Sequence, residues 1–124
     1  MSLSTPSSPL KATSIGWLLV SLGHTLSAGD WQSLPQFRQL PNLAYTCAKA
    51  GWYQGSAFFL MTAMINYGWA QNPALLQEPI NKAIAALMTA IVWVSSGWYL
   101  KKGVKGNGVV VAAMGALQAW AAFR

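Results

Sequence analysis

His24 is the only histidine in this 124-residue chain, and Asp30 and Glu78 are its only acidic side chains. A lone imidazole can move a proton or hold one hydrogen bond to a ligand. It cannot build a protein-held metal centre, which needs several His, Cys or carboxylate ligands converging on one point. With one cysteine, Cys47, beside the single histidine and two acids, the chain lacks the ligands for zinc, di-iron or bis-histidine haem. No metal and no cofactor is expected. Nor is there a Gly-rich dinucleotide fingerprint, a phosphate-binding loop, a zinc-protease motif or a nucleophile elbow. Catalysis would therefore fall to His24, with Asp30 six residues further on and a tyrosine such as Tyr53, working inside an apolar pocket.

The elements that must position His24 are apolar. Hydrophobic residues make up 54% of the chain and charged residues 8%, against roughly 25% charged in an ordinary globular domain. Ten charges do not readily cover the surface of a small soluble protein, whereas lipid solvates apolar surface directly. The eight basic residues fall between apolar runs, at Lys11, Arg38, Lys49, Lys82, Lys101, Lys102, Lys105 and Arg124. Charges that flank membrane segments are placed in this way, and the absence of one basic face argues against nucleic acid as a partner.

Four apolar segments follow a Ser/Pro-rich start: residues 13–29, 49–69, 80–100 and 107–123. A bilayer takes about 17–25 residues per helix, and spanning backbone must satisfy its own hydrogen bonds. Pro35 and Pro41 mark an extended loop. Pro79 suits the first turn of a helix, with Glu78 beside its positive end. "KKGVKGNG" is short enough to force an antiparallel hairpin. The expected fold is all-α: an integral membrane, antiparallel four-helix bundle over residues 13–124 behind a flexible tail at 1–12. Lys11 ahead of an apolar run also suits a signal peptide. Leu26 at the cleavage position and His24 inside the run favour an uncleaved first helix.

Trp17, Trp31, Trp52, Trp69, Trp98 and Trp120 lie near segment ends, where indoles anchor at the headgroup level, and Trp93 falls deeper, on a packed face. Five basic residues on the side of the 30–49 loop and the 101–105 turn, against three on the other, place both termini away from the cytoplasm. An endomembrane such as the endoplasmic reticulum is the expected location. Cys47 near a boundary reads either as a buried small residue or as a palmitoylation site.

Helical spacing gathers small and polar residues on particular faces. Trp17, Ser21, His24 and Ala28 share one face of the first segment. Gly55, Phe59, Thr62 and Asn66 share one on the second, and Thr89, Trp93, Ser96 and Gly97 one on the third. Gly51 and Gly55 form a GxxxG. Gly108, Ala112, Ala116 and Ala119 make a small-residue stripe on the fourth segment, as Ala86 and Ala90 do on the third. Such residues let helices approach closely, within one chain or between copies of it. The faces either line a pocket or supply ordinary interhelical hydrogen bonds, and His24 is either an acid–base group at a pocket mouth or a hydrogen-bonded packing residue.

"LGHT" closing the first segment, a proline-containing loop, and "AGWYQGSAFFL" opening the second resemble small four-helix membrane proteins of filamentous fungi, DoxX-like and anthrone-oxygenase-like in layout. "EPINK" is similar to a Pro-x-Asn element of the oxygenase-like group, where it follows the third span; here it precedes it. The resemblance implies attachment to a secondary-metabolite pathway. Few intramembrane charges disfavour a small channel or transporter, and two other functions stand ahead of it as expectations. One is a multi-pass accessory or binding protein without metal chemistry, with the lipid bilayer, a second copy or another membrane protein, and an apolar small molecule as partners. The other is a cofactor-independent oxygenase or cyclase acting on an apolar, polyketide-like substrate.

Overall fold

The computed structural model describes residues 5–124, and their regular structure is entirely helical. Four long helices carry the chain: α1 (Ser8–Leu26), α4 (Asn42–Gln71), α5 (Pro79–Lys101) and α6 (Lys105–Phe123). Two short helices, α2 (Ala28–Gln32) and α3 (Pro35–Arg38), fill the first connection, and a 3-10 turn over Pro73–Gln77 leads into α5.

The first helix starts earlier than the apolar pattern suggests. Residues 8–12 fall in the expected flexible tail, yet they form the first turns of α1; residues 1–4 lie outside the described residues. Local and tertiary causes combine here. The Ser7 side chain accepts a hydrogen bond from the Leu10 amide at 3.4 Å, and Pro9 sits in the first turn, where its missing N–H is harmless. The Ser7 amide also donates to the Ala70 carbonyl at 2.8 Å. Leu10 is buried with Trp69, Ala70, Leu76 and Ala121, a long-range contact that a Ser/Pro-rich composition does not reveal.

The loop expected to be extended between the first two segments is instead mostly helical. The Ser27 amide returns to the Gly23 carbonyl at 2.8 Å, and the chain restarts as α2. Pro35 opens α3, and Phe37 is buried there, edge-on to Trp31 at 5.0 Å and 4.7 Å from Tyr45. Burying that phenylalanine gives the connection an apolar reason to fold. Pro41 then directly precedes α4, which runs for 30 residues and starts well ahead of Lys49. Pro79 opens α5 as its position predicted. Gly103, at φ 80°, makes the turn into α6, where an L side chain would be strained.

α1 lies along α4, α5 lies along α6, and α1 also meets α6. Leu10 near the start of α1 meets Trp69 and Ala70 near the end of α4, while His24 near the end of α1 meets Trp52 in the first half of α4. A second apolar cluster joins Trp17, Phe59, Ala63, Val92 and Val111 from all four long helices.

The interior mixes apolar with polar side chains, and many large apolar side chains face outward. Thr13, Ser21, Ser56, Thr62, Asn66, Thr89, Ser96 and Gln118 are all buried. Ile15, Leu19, Leu22, Met61, Met64, Leu87, Val94 and Val109 are exposed. Two helices, α5 and α6, are long and apolar enough to cross a membrane.

Several expected faces turn out differently. In the GxxxG, Gly55 is packed but Gly51 has open space around it. Ala86, Ala90, Gly97 and Ala116 are exposed. The close approach of α5 and α6 rests on Gly108 and Gly115 instead: an added Cβ would sit 2.7 Å from the Leu100 side chain at Gly108 and 2.6 Å from Trp93 Cδ1 at Gly115. The helical face between them is completed by Val111 and Gln118. Trp17 and Trp69 are core residues whose indole N–H groups donate to the buried Gln118 and the partly buried Asn81, both at 2.9 Å. Trp93, expected on a packed face, is half-exposed, lies across Gly115 and donates to the Ala112 carbonyl at 3.2 Å. Trp98 and Trp120 are exposed, with Lys102 and Arg124 over their rings at 5.3 and 4.9 Å, an arrangement suited to a polar boundary. Cys47 is exposed.

Candidate functional site

A cleft of about 600 Å³ opens between the four long helices near the end of α1. Leu19, Val20 and His24 come from α1; Trp52, Gly55, Phe58 and Phe59 from α4; Ile91, Val92 and Tyr99 from α5; and Asn107, Val110 and Val111 from α6. Its walls are aliphatic and aromatic, and few polar groups reach it, the composition expected of a small-molecule site. His24 is the one titratable group on the cleft wall besides Tyr99.

Four residues of α4, at positions 52, 55, 56 and 59, hold the imidazole. Their spacing puts them on one helical face. Trp52 stacks on the ring with centroids 3.7 Å apart and planes 14° apart. Phe59 meets it edge-on at 5.1 Å. Gly55 lets the ring settle against the helix, since an added Cβ there would lie 3.1 Å from Cε1 and 3.3 Å from Nε2. The Ser56 hydroxyl is 2.8 Å from Nδ1. The main chain is held too: α1 ends here, and the His24 carbonyl accepts from Trp52 Nε1 at 2.7 Å and from Ser27 Oγ at 3.1 Å. Those donors serve a carbonyl at the helix end, where intrahelical partners run out. Trp52 thus grips both the ring and the backbone of one residue.

Nearer the middle of the molecule lies a second polar feature. Asn66 Nδ2 donates to Gln118 Oε1 at 2.7 Å and to the Thr62 carbonyl at 2.9 Å. Gln118 Nε2 donates back to Asn66 Oδ1 at 2.9 Å, and Trp17 Nε1 completes the group. Every residue of the network is buried. With its groups satisfied from within, it ties α1, α4 and α6 together and offers a ligand little to bind.

No family model matches the chain, and no curated protein or solved structure does either.

The residues singled out from the sequence therefore divide. His24 and Gly55 belong to the cleft. Ser21 supports its floor, donating to the Ser56 carbonyl at 2.8 Å. Trp17, Thr62 and Asn66 belong to the buried network and its surroundings. Trp93 packs between α5 and α6, and Gly51 is exposed. Asp30 is exposed on α2 and is not on the cleft wall, because the break at Ser27 redirects the chain between it and His24. Trp52, Ser56 and Gln118 were missed. The four-residue spacing of Trp52, Ser56 and Leu60, with Gly55 and Phe59 beside them, was a usable signal, but nothing local pairs that face with His24. Gln118, a lone amide in the apolar run "VVVAAMGALQAW", was the clearer one: a polar residue in such a run needs a partner.

Proposed function

We propose that this chain is a multi-pass integral membrane protein whose four long helices form an antiparallel bundle around a binding cleft for an apolar small molecule. It acts as a binding or accessory protein, and the cleft presents one imidazole to its occupant. The burial pattern carries this reading: amides and hydroxyls are paired inside among apolar side chains, while many leucines, methionines and valines face outward. In water that arrangement would expose extensive apolar surface and invite aggregation; in lipid it is the stable one.

Charge placement supports it. Residues 12–29, 50–77, 83–100 and 106–123 contain no Asp, Glu, Lys or Arg. The shortest of these runs is about 27 Å long as a helix, close to the roughly 30 Å of a bilayer's hydrocarbon core. A catalytic role for His24 is the second reading, favoured by the one ring nitrogen left facing the cleft.

Membrane fractionation tests the proposal. The protein should stay in the pellet through an alkaline carbonate wash and enter solution only with detergent. Recovery as a monodisperse soluble protein without detergent would overturn it. Apolar aromatic probes should quench or shift the emission of Trp52 in the detergent-solubilised or nanodisc-embedded protein, measured against Trp52→Phe.

A further inference from the structure

We infer that the occupant of the cleft carries a hydrogen-bond acceptor, a carbonyl oxygen on an apolar body, which meets a proton held on Nε2 of His24. This rests on the cleft being a binding site and adds the chemical class of what it binds.

The argument starts from Ser56. Its hydroxyl is buried, and among the described residues its one hydrogen-bond partner is His24 Nδ1 at 2.8 Å. A hydroxyl can donate or accept, whereas a neutral imidazole has one nitrogen of each kind. If Nδ1 carried the ring proton, the Ser56 hydroxyl would accept and its own hydrogen would be left unpaired in a buried place, which is costly. The Ser56 hydroxyl therefore donates to Nδ1, and the ring proton resides on Nε2.

Nε2 has no hydrogen-bond partner among the described residues, and it is not among the buried orphan atoms, which are Trp31 Nε1 and Gln32 Nε2. It is therefore accessible, on a residue that lines the cleft. The ring cannot readily turn away, because Trp52 stacks on it, Phe59 meets it edge-on and Gly55 lies against it. The site is thus a donor of fixed direction among apolar and aromatic walls. A donor so placed discriminates by the group it pairs with: an occupant without an acceptor leaves it unsatisfied, while a carbonyl satisfies it. A free small molecule and the ester carbonyl of a membrane lipid share this chemistry.

His24 is the only histidine, so the test is spectroscopically clean. The protein, labelled with 15N-histidine, is placed in nanodiscs at about pH 8, where an imidazole is neutral. 9-Fluorenone and fluorene, which differ chiefly by one carbonyl, serve as probes. Nε2 should resonate as the protonated nitrogen, and fluorenone should shift it. Fluorenone should bind roughly tenfold more tightly than fluorene, and His24→Phe, which keeps a stacking ring, should bring the two within about twofold. A proton found on Nδ1, or equal binding of both probes in the wild type, would overturn the inference while leaving the cleft intact as an apolar site. Failure of both probes to bind would instead overturn the binding reading on which it rests. Repeating the titration in ester-linked and ether-linked phospholipids separates the two sources. An Nε2 resonance that changes with the lipid linkage, before any probe is added, assigns the acceptor to a lipid. One that changes only with fluorenone assigns it to a free ligand.

Discussion

The side-chain amides of Asn66 and Gln118 face each other between α4 and α6 and exchange two hydrogen bonds, at 2.7 and 2.9 Å. Gln118 Oε1 also takes the indole proton of Trp17. Removing Gln118 therefore strands the Trp17 indole N–H and Asn66 Oδ1 and leaves Asn66 Nδ2 only its bond to the Thr62 carbonyl. Gln118→Ala should destabilise the protein by about 2–4 kcal/mol in a reversible micelle-unfolding titration. The paired replacement Asn66→Leu with Gln118→Leu should cost less than the sum of the two single replacements, because it removes both ends of the interaction and leaves fewer groups unpaired.

The glycines of α6 and the GxxxG of α4 should behave in opposite ways. At Gly115 a Cβ would overlap the Trp93 indole and approach Val92 Cγ2 to 2.9 Å. Gly115→Ala should therefore push α5 and α6 apart and cost about 1–3 kcal/mol. At Gly51 there is nothing within 4 Å, so Gly51→Ala should be neutral or stabilising by up to about 1 kcal/mol through helix propensity. Thermal unfolding in one detergent compares them directly. Equal losses at both positions would mean that Gly51 has a partner outside this chain.

Gly55 connects stability to the cleft. A methyl group there would press on His24 Cε1 and Nε2 from 3.1 and 3.3 Å, tighter than ordinary contact, so the ring must give by a few tenths of an ångström. Gly55→Ala should change stability by less than about 1 kcal/mol, as the helix-propensity gain offsets the crowding. It should also redirect Nε2 and weaken the preference for fluorenone over fluorene several-fold, read by the same pair of probe titrations.

Cys47 reports orientation. It is the only cysteine, it is exposed, and it lies near the start of α4, at the end of the molecule that carries Arg38, Lys49 and the lysine turn. We propose from the basic excess there that this end faces the cytoplasm. In sealed microsomes, whose outer face is cytoplasmic, a membrane-impermeant maleimide should label Cys47 without permeabilisation. Thr5→Cys, made together with Cys47→Ser, should react only after detergent is added. The reverse pattern would invert the topology while leaving the cleft unaffected.

How much of this was legible beforehand depended on whether the deciding interaction was local. Helical character, the helix start at Pro79 and the turn at Gly103 follow from composition, periodicity and backbone chemistry within a few residues. The faces carrying Trp17, Ser21 and His24, and Gly55, Phe59, Thr62 and Asn66, were equally readable, because a helix fixes which residues share a side. The early start of α1 was not: Leu10 is ordered by Trp69, Ala70 and Ala121, far away in the chain. Nor was the choice among glycines, since Gly51 and Gly115 look alike until a neighbouring helix is placed beside one of them.

His24 shows the same division. Its uniqueness, and the consequent lack of a metal-ligand set, belong to the sequence by itself. Which nitrogen bears the proton, that Trp52 and Ser56 rather than Asp30 are its companions, and that it faces an apolar cleft were decided by the packing of α1 on α4. The physical reason is that a side chain's type sets what it can do, while its protonation, direction and partners depend on groups brought near by long-range packing, which local pattern does not encode.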